Sequence, residues 1–245
     1  MQVIISPAKK IVVDTDSFPV KSQPVYAAAA QTLLRQLKQL SLAQVQKLWH
    51  CSAKLARENY RLLHSHFPQT AALFAFSGIQ YQYMAPDVLT QPALDYLQAH
   101  LRILSGLYGI LRPFDGIEPY RLEMQAKLAV AGHRNLYQFW GDRLYQALAQ
   151  PAKPIINLAS QEYAKAITPY LATPNQMITI IFGHWQREKV VTRATLAKMA
   201  RGDMVRYLAE NQIQSPTGIK HFASRGYRYH AALSTTNKLV FLKEA

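Results

Sequence analysis

LSGLYGILRPFDGIEPYRLEM, residues 104–124, gathers Gly106, Gly109 and Gly116, Pro113 and Pro119, three acids, Arg112 and Arg121, and Tyr108 and Tyr120 into one short run. The chain has only ten glycines and thirteen prolines in 245 residues, so punctuation this dense beside charge marks a backbone that presents something. Upstream, Pro92 opens a stripe of Leu94, Leu97, Leu101 and Leu104, which predicts a helix over 92–104 running straight into Ser105-Gly106. Two readings stay open. In one, Leu104 to Ile110 is the hairpin of a helix-hairpin-helix element, whose glycines let backbone N–H groups reach a phosphate oxygen. In the other it is an ordinary turn between helices, because Pro113 falls where a second helix should be running and Leu111 to Pro119 reads as loop.

Working outward, Val3 to Ile5, Ile155 to Leu158, Met177 to Phe182 and Leu239 to Leu242 are short apolar runs that read as buried strands. Helical composition covers 24–40, and Ser41 with Gln44 forms a capping box that opens a second helix reaching Leu62. Its polar face carries Lys47, Lys54, Arg57 and Arg61. Further helices are expected over 137–148, broken by Pro151 to Pro154, and over 195–210. Strands scattered among helices predict a mixed α/β (α+β) fold: a single compact domain over 1–245, with a mixed central sheet flanked by helices.

Hydrophobic residues at 49% and charged residues at 17% describe a folded chain. The formal charge of +14 makes a polyanion the first partner to consider. Two segments supply most of it: 21–66 with seven basic side chains against one acid, and 183–245 with eleven against four. Cys51 stands alone, so no intramolecular disulfide can form. MQVIISPAKK reverses the order of a signal peptide and no window reaches the length of a membrane span, so a cytoplasmic protein with no membrane partner is expected.

The familiar catalytic and nucleotide-binding fingerprints are missing, and the eight dispersed histidines offer no recognisable metal-ligand set, so neither a metal nor another cofactor is expected. Two strand-to-turn junctions carry more. Ser6-Pro7-Ala8-Lys9 joins a cap residue, a first-turn proline and a lysine, and Asn157-Leu158-Ala159-Ser160 ends the second strand in the same way. A plain N-cap explains either alone; together they suggest a shared phosphate or carboxylate pocket.

The ordered set Ile5 to Lys9, Leu104 to Gly109, Leu111 to Pro113, Pro119 to Met124, Tyr137 to Asp142, Asn157 to Ser160 with Glu162-Tyr163, and Ala200-Arg201-Gly202 resembles the YaaA family of bacterial peroxide-stress proteins. The resemblance continues through Glu210-Asn211 and Gly226-Tyr227. It implies a cytoplasmic protein tied to survival under hydrogen peroxide and to low free intracellular iron, which binds DNA through a positive cleft and a helix-hairpin-helix-like element. Three positions depart from the family pattern: Ser77 where a Lys is usual, Ile79 where an acid is usual, and Lys10 where a Thr is common.

Two functional expectations result. A DNA binder, for duplex or distorted DNA with weak sequence preference, would use Lys9, Arg112, Arg121, Arg201 and Arg206, with the amides around Gly106 and Gly109 assisting and Ser6, Asn157 and Ser160 completing the anion site. An enzyme acting on a small anionic or nucleotide-like ligand would hold it with Lys9 and Arg121, move a proton with Asp115 or Glu123, and orient it with Tyr120. The acids between Asp115 and Glu123 would repel DNA unless Arg112 and Arg121 brace them internally.

Overall fold

Residue-by-residue pairing shows how the apolar runs assemble in the computed structural model, which describes residues 1–149, 153–187 and 189–243. Eight strands form the central sheet: β1 (Gln2–Ile5), β2 (Leu101–Ser105), β3 (Gly109–Leu111), β4 (Ile155–Asn157), β5 (Met177–Gln186), β6 (Lys189–Val191), β7 (Tyr227–Tyr229) and β8 (Lys238–Lys243). Their order is β7-β8-β5-β4-β1-β2-β3, with β6 folded back on β5. The inner strands β8, β5, β4, β1 and β2 run parallel, and β7, β3 and β6 are antiparallel additions. Parallel strands covered on both faces need unbroken apolar runs, which is why β1 and β4 are buried at every residue.

Helices cover the sheet: α1 (Ala27–Lys38), α2 (Leu42–Trp49), α3 (Ala53–His64), α4 (Ile79–Met84), α5 (Gln91–His100), α6 (Leu136–Trp140), α7 (Arg143–Leu148) and α8 (Ala194–Glu210). One continuous hydrophobic cluster runs from Met1 to Phe241, so the mixed α/β domain is a single unit. The capping box forms as expected, with Gln44 N–H on Ser41 Oγ and the Gln44 side chain on Ser41 N–H. Among the described residues no helix is long and apolar enough to cross a membrane.

Three expected helices change shape. The helix from Ser41 ends at His50, which takes a left-handed conformation (φ 45°), and Ser52 caps a new helix, α3. Tyr137 to Leu148 is divided at Gly141 (φ 53°). The expected break at Pro151 lies outside the described residues, and Pro154 immediately precedes β4.

The helix over 92–104 stops at His100. Leu101 to Ser105 is strand, paired with β1 through Val3↔Leu101, Ile4↔Arg102 and Ile5↔Ile103. Leu104–Ile110 therefore joins two antiparallel strands, with Ile103↔Leu111 and Ser105↔Gly109 in register, and is not a hairpin between helices. The leucine stripe carried on because the strand's buried residues happened to extend the helical spacing; pairing with β1 overrode the local preference.

Candidate functional site

The carboxyl ends of β1 and β4 are adjacent, and the loops leaving them are tied together. Ser160 N–H donates to Ser6 Oγ at 2.8 Å and the two hydroxyls lie 3.2 Å apart. Asn157 stands one step behind: its Oδ1 accepts Ala159 N–H at 2.9 Å and its Nδ2 donates to Thr179 Oγ1 at 3.3 Å, which sets the turn that carries Ser160. Tyr81 on α4 donates to the Ser6 carbonyl at 3.0 Å. Crevices at this end of parallel strands are where open α/β sheets bind ligands.

The third wall is the segment 120–123, laid across the β2–β3 turn. A Cβ on Gly106 would drive into the Leu122 carbonyl oxygen, so only glycine lets these backbones meet. Tyr120 Oη and Ser105 Oγ are 2.6 Å apart, and Tyr108 N–H donates to the same Ser105 oxygen at 2.9 Å. Arg121, 9% exposed, places Nη2 3.0 Å from Glu123 Oε1, and Lys9 Nζ approaches that oxygen from the solvent side at 3.3 Å. The fourth wall is α8, bringing Lys198 and Arg201. Gly202 lets α8 press on α4, since a side chain there would strike the Gln80 carbonyl oxygen.

These walls enclose a pocket of about 500 Å³, within the range of small-molecule sites. Lys9, Lys10, Arg121, Lys198 and Arg201 line it against Glu123 and Glu162, and Glu123 is already paired twice, so the interior field is positive. Three buried donors on residues that line it have no partner among the described residues: Arg121 Nε, Arg201 Nε and Gln80 Nε2. Buried donors without partners are rare, and each costs about 1–3 kcal/mol. Burial lowers the pKa of Arg201, and it raises that of Glu162 with Glu123 adding to the effect. Burial pushes the phenols of Tyr81, Tyr120 and Tyr163 far up, so all three stay protonated as donors, and it pushes Tyr108 up to about 12. The pocket thus combines neutral donors, guanidinium groups and one carboxyl, Glu162, biased toward holding its proton.

Ser6, Lys9, Tyr120, Arg121, Glu123, Ser160 and Arg201 all line the pocket, and so do the three departures, Lys10, Ser77 and Ile79. Lys10 and Ser77 face each other in a short antiparallel ladder at its rim. The other candidates lie elsewhere. Asp115, 1% exposed, accepts from Arg112 N–H at 2.8 Å, Arg112 Nε at 3.2 Å and Ser22 Oγ at 2.6 Å, which leaves it a structural brace and not a proton carrier. Arg112 commits its Nε to that brace, away from the pocket. Gly106 and Gly109 are buried, the latter at φ 74° with Trp140 and Leu144 where a Cβ would go, and neither lines the pocket. Arg206 pairs with Glu210 along α8 at 2.8 Å. Glu162, Lys198 and Gln80 were missed; Glu162, two residues past Ser160, was the one with a signal in its spacing.

Among the described residues no three His, Cys, Asp or Glu side chains cluster as a metal site would require. A family model described as peroxide stress protein YaaA matches residues 1–233. The chain is 57% identical over 245 residues to a UPF0246 protein of Lactiplantibacillus plantarum and 54% identical over 245 residues to one of Lacticaseibacillus paracasei, with 99% of each chain covered in both cases. A UPF0246 protein of Agathobacter rectalis is 44% identical over 244 residues, with 98% of each chain covered. Motif order, fold and full-length similarity agree: this chain belongs to the YaaA family of peroxide stress proteins.

Proposed function

We propose that this peroxide-stress protein acts through the pocket at the carboxyl ends of β1 and β4, and that the pocket holds a small ligand carrying a phosphate or carboxylate. One observation carries the reading: two guanidinium groups and an amide of pocket-lining residues keep buried donors that no atom of the described residues uses, in a pocket whose cations outnumber its acids. Such donors are satisfied by an anion, and charge-assisted hydrogen bonds of this kind contribute about 1.5–3 kcal/mol each. If a reaction occurs, Glu162 is the group placed to give or take a proton, and Tyr120, held by Ser105, orients the ligand. Asp115 has no part in it. Calorimetric titration with inorganic phosphate, AMP and citrate tests the reading. Saturable binding of at least one, weakened about tenfold or more by Arg201→Ala, is expected; heats indistinguishable from dilution for all three refute it.

A second reading, DNA binding, is favoured by the net charge of +14 and its concentration in two segments. A duplex does not enter a pocket of about 500 Å³, so it would lie on the basic surface with at most one phosphate at the pocket mouth. Lys9, Lys10 and Lys198 are the exposed cations there. Affinity for a labelled duplex should then fall steeply with salt, because each neutralised phosphate releases counterions. An influence on free intracellular iron would be indirect under either reading.

A further inference from the structure

A second cavity, of about 590 Å³, opens at the carboxyl ends of β5 and β8, next along the same edge of the sheet. Its chemistry differs from that of the first. Trp185 is 52% exposed, the only tryptophan of three that is not buried. Its ring stands 6.4 Å from that of His230, nearly perpendicular to it, and Tyr229 adds a further aromatic wall. Arg193 and Lys243 supply positive charge, and no Asp or Glu is found among the described residues that line the cavity. His184 Nε2 and His230 Nδ1 are buried and have no partner among the described residues. A flat aromatic face ringed by cations is what an unpaired nucleotide recognises.

The geometry points to a nucleotide site in this cavity: the base of a free nucleotide or of an unpaired residue in a nucleic-acid strand stacks on Trp185 beside the His230 ring, and its phosphate is met by Arg193 and Lys243. The inference does not depend on what the first pocket binds. The two are nevertheless close, because Arg193 precedes the first turn of α8 and Arg201 lies eight residues on, about 12 Å along a helix rising 1.5 Å per residue.

Intrinsic fluorescence reads this site directly, since Trp49 and Trp140 are buried and only Trp185 is open to stacking. Titration with an eight-residue oligothymidylate, with dTMP and with inorganic phosphate is the experiment. Saturable quenching by the oligomer is expected. Binding followed by anisotropy of a labelled oligomer should weaken about tenfold in Trp185→Ala and stay near the parent value in Trp185→Phe. Equal quenching by dTMP would assign the site to free nucleotides; quenching by the oligomer alone would assign it to a strand. Arg201→Ala, which disables the first pocket, should leave the quenching intact, so failure of one site is separable from failure of the other. Absence of saturable quenching by either nucleotide, quenching by inorganic phosphate as strong as by the nucleotides, or unchanged oligomer affinity in Trp185→Ala would overturn the proposal.

Discussion

Asp115 and Glu123 sit eight residues apart in one loop, each beside an arginine, and their fates differ. Asp115 is enclosed and saturated: three donors converge on it, two of them from Arg112, whose Nε is held on the carboxylate while the rest of its side chain is partly exposed. Glu123 stands at a pocket wall with two cations on one oxygen, and its arginine keeps an unpartnered Nε. The same residue types therefore perform bracing in one place and, under the proposed function, ligand presentation in the other. What separates them is placement: Asp115 is buried away from the pocket, whereas Glu123 and Arg121 line it.

The largest expected effect comes from breaking the brace. Asp115→Ala removes the acceptor of three hydrogen bonds, and should cost on the order of 3 kcal/mol, lowering the thermal midpoint by roughly 10 °C. Thermal unfolding by circular dichroism checks this, and phosphate-ligand affinity of the folded fraction should be unchanged. Gly106→Ala comes next. Its methyl group meets the Leu122 carbonyl, so overpacking of about 1–3 kcal/mol is expected together with weaker ligand binding, since 120–123 must shift. A variant as stable as the parent would show that the hairpin and this segment do not pack as described.

Arg201→Ala reverses the pattern. It removes a desolvated guanidinium whose Nε is unsatisfied, so stability should hold within about 0.5 kcal/mol or rise, while ligand affinity falls. The smallest effect is electrostatic. Burial raises the pKa of Glu162 in the folded state, so its contribution to stability is greatest below the unfolded value and is lost as pH rises through the folded one. Glu162→Gln should therefore be slightly more stable than the parent at pH 7, with the difference vanishing on acidification below the ordinary glutamate range. Paired melts from pH 4 to pH 8 measure it.

The inner strands were legible because parallel strands buried on both faces leave unbroken apolar runs, as in Ile155 to Leu158 and Leu239 to Leu242. The Ser41 capping box was legible because its two hydrogen bonds are local. Leu101 to Ser105 was not: its leucines keep helical spacing, and only pairing with β1 makes it strand. At the site, Ser6, Lys9 and Ser160 could be found because each lies in the short turn that leaves a strand end. Asp115 could not be separated from Glu123, since sequence does not tell whether an acid beside an arginine also faces Ser22 Oγ, ninety-three residues away.

The central claim is that Arg121 and Arg201 hold donors for an anion. Arginine-selective nitrogen–proton NMR observes the two Nε–H groups themselves, during titration with AMP and inorganic phosphate. The account predicts that both resonances shift together and saturably, with Arg112 and Arg206, which are paired within the protein, unmoved. Resonances of Arg121 and Arg201 that stay fixed, while a ligand binds elsewhere or does not bind, would contradict it.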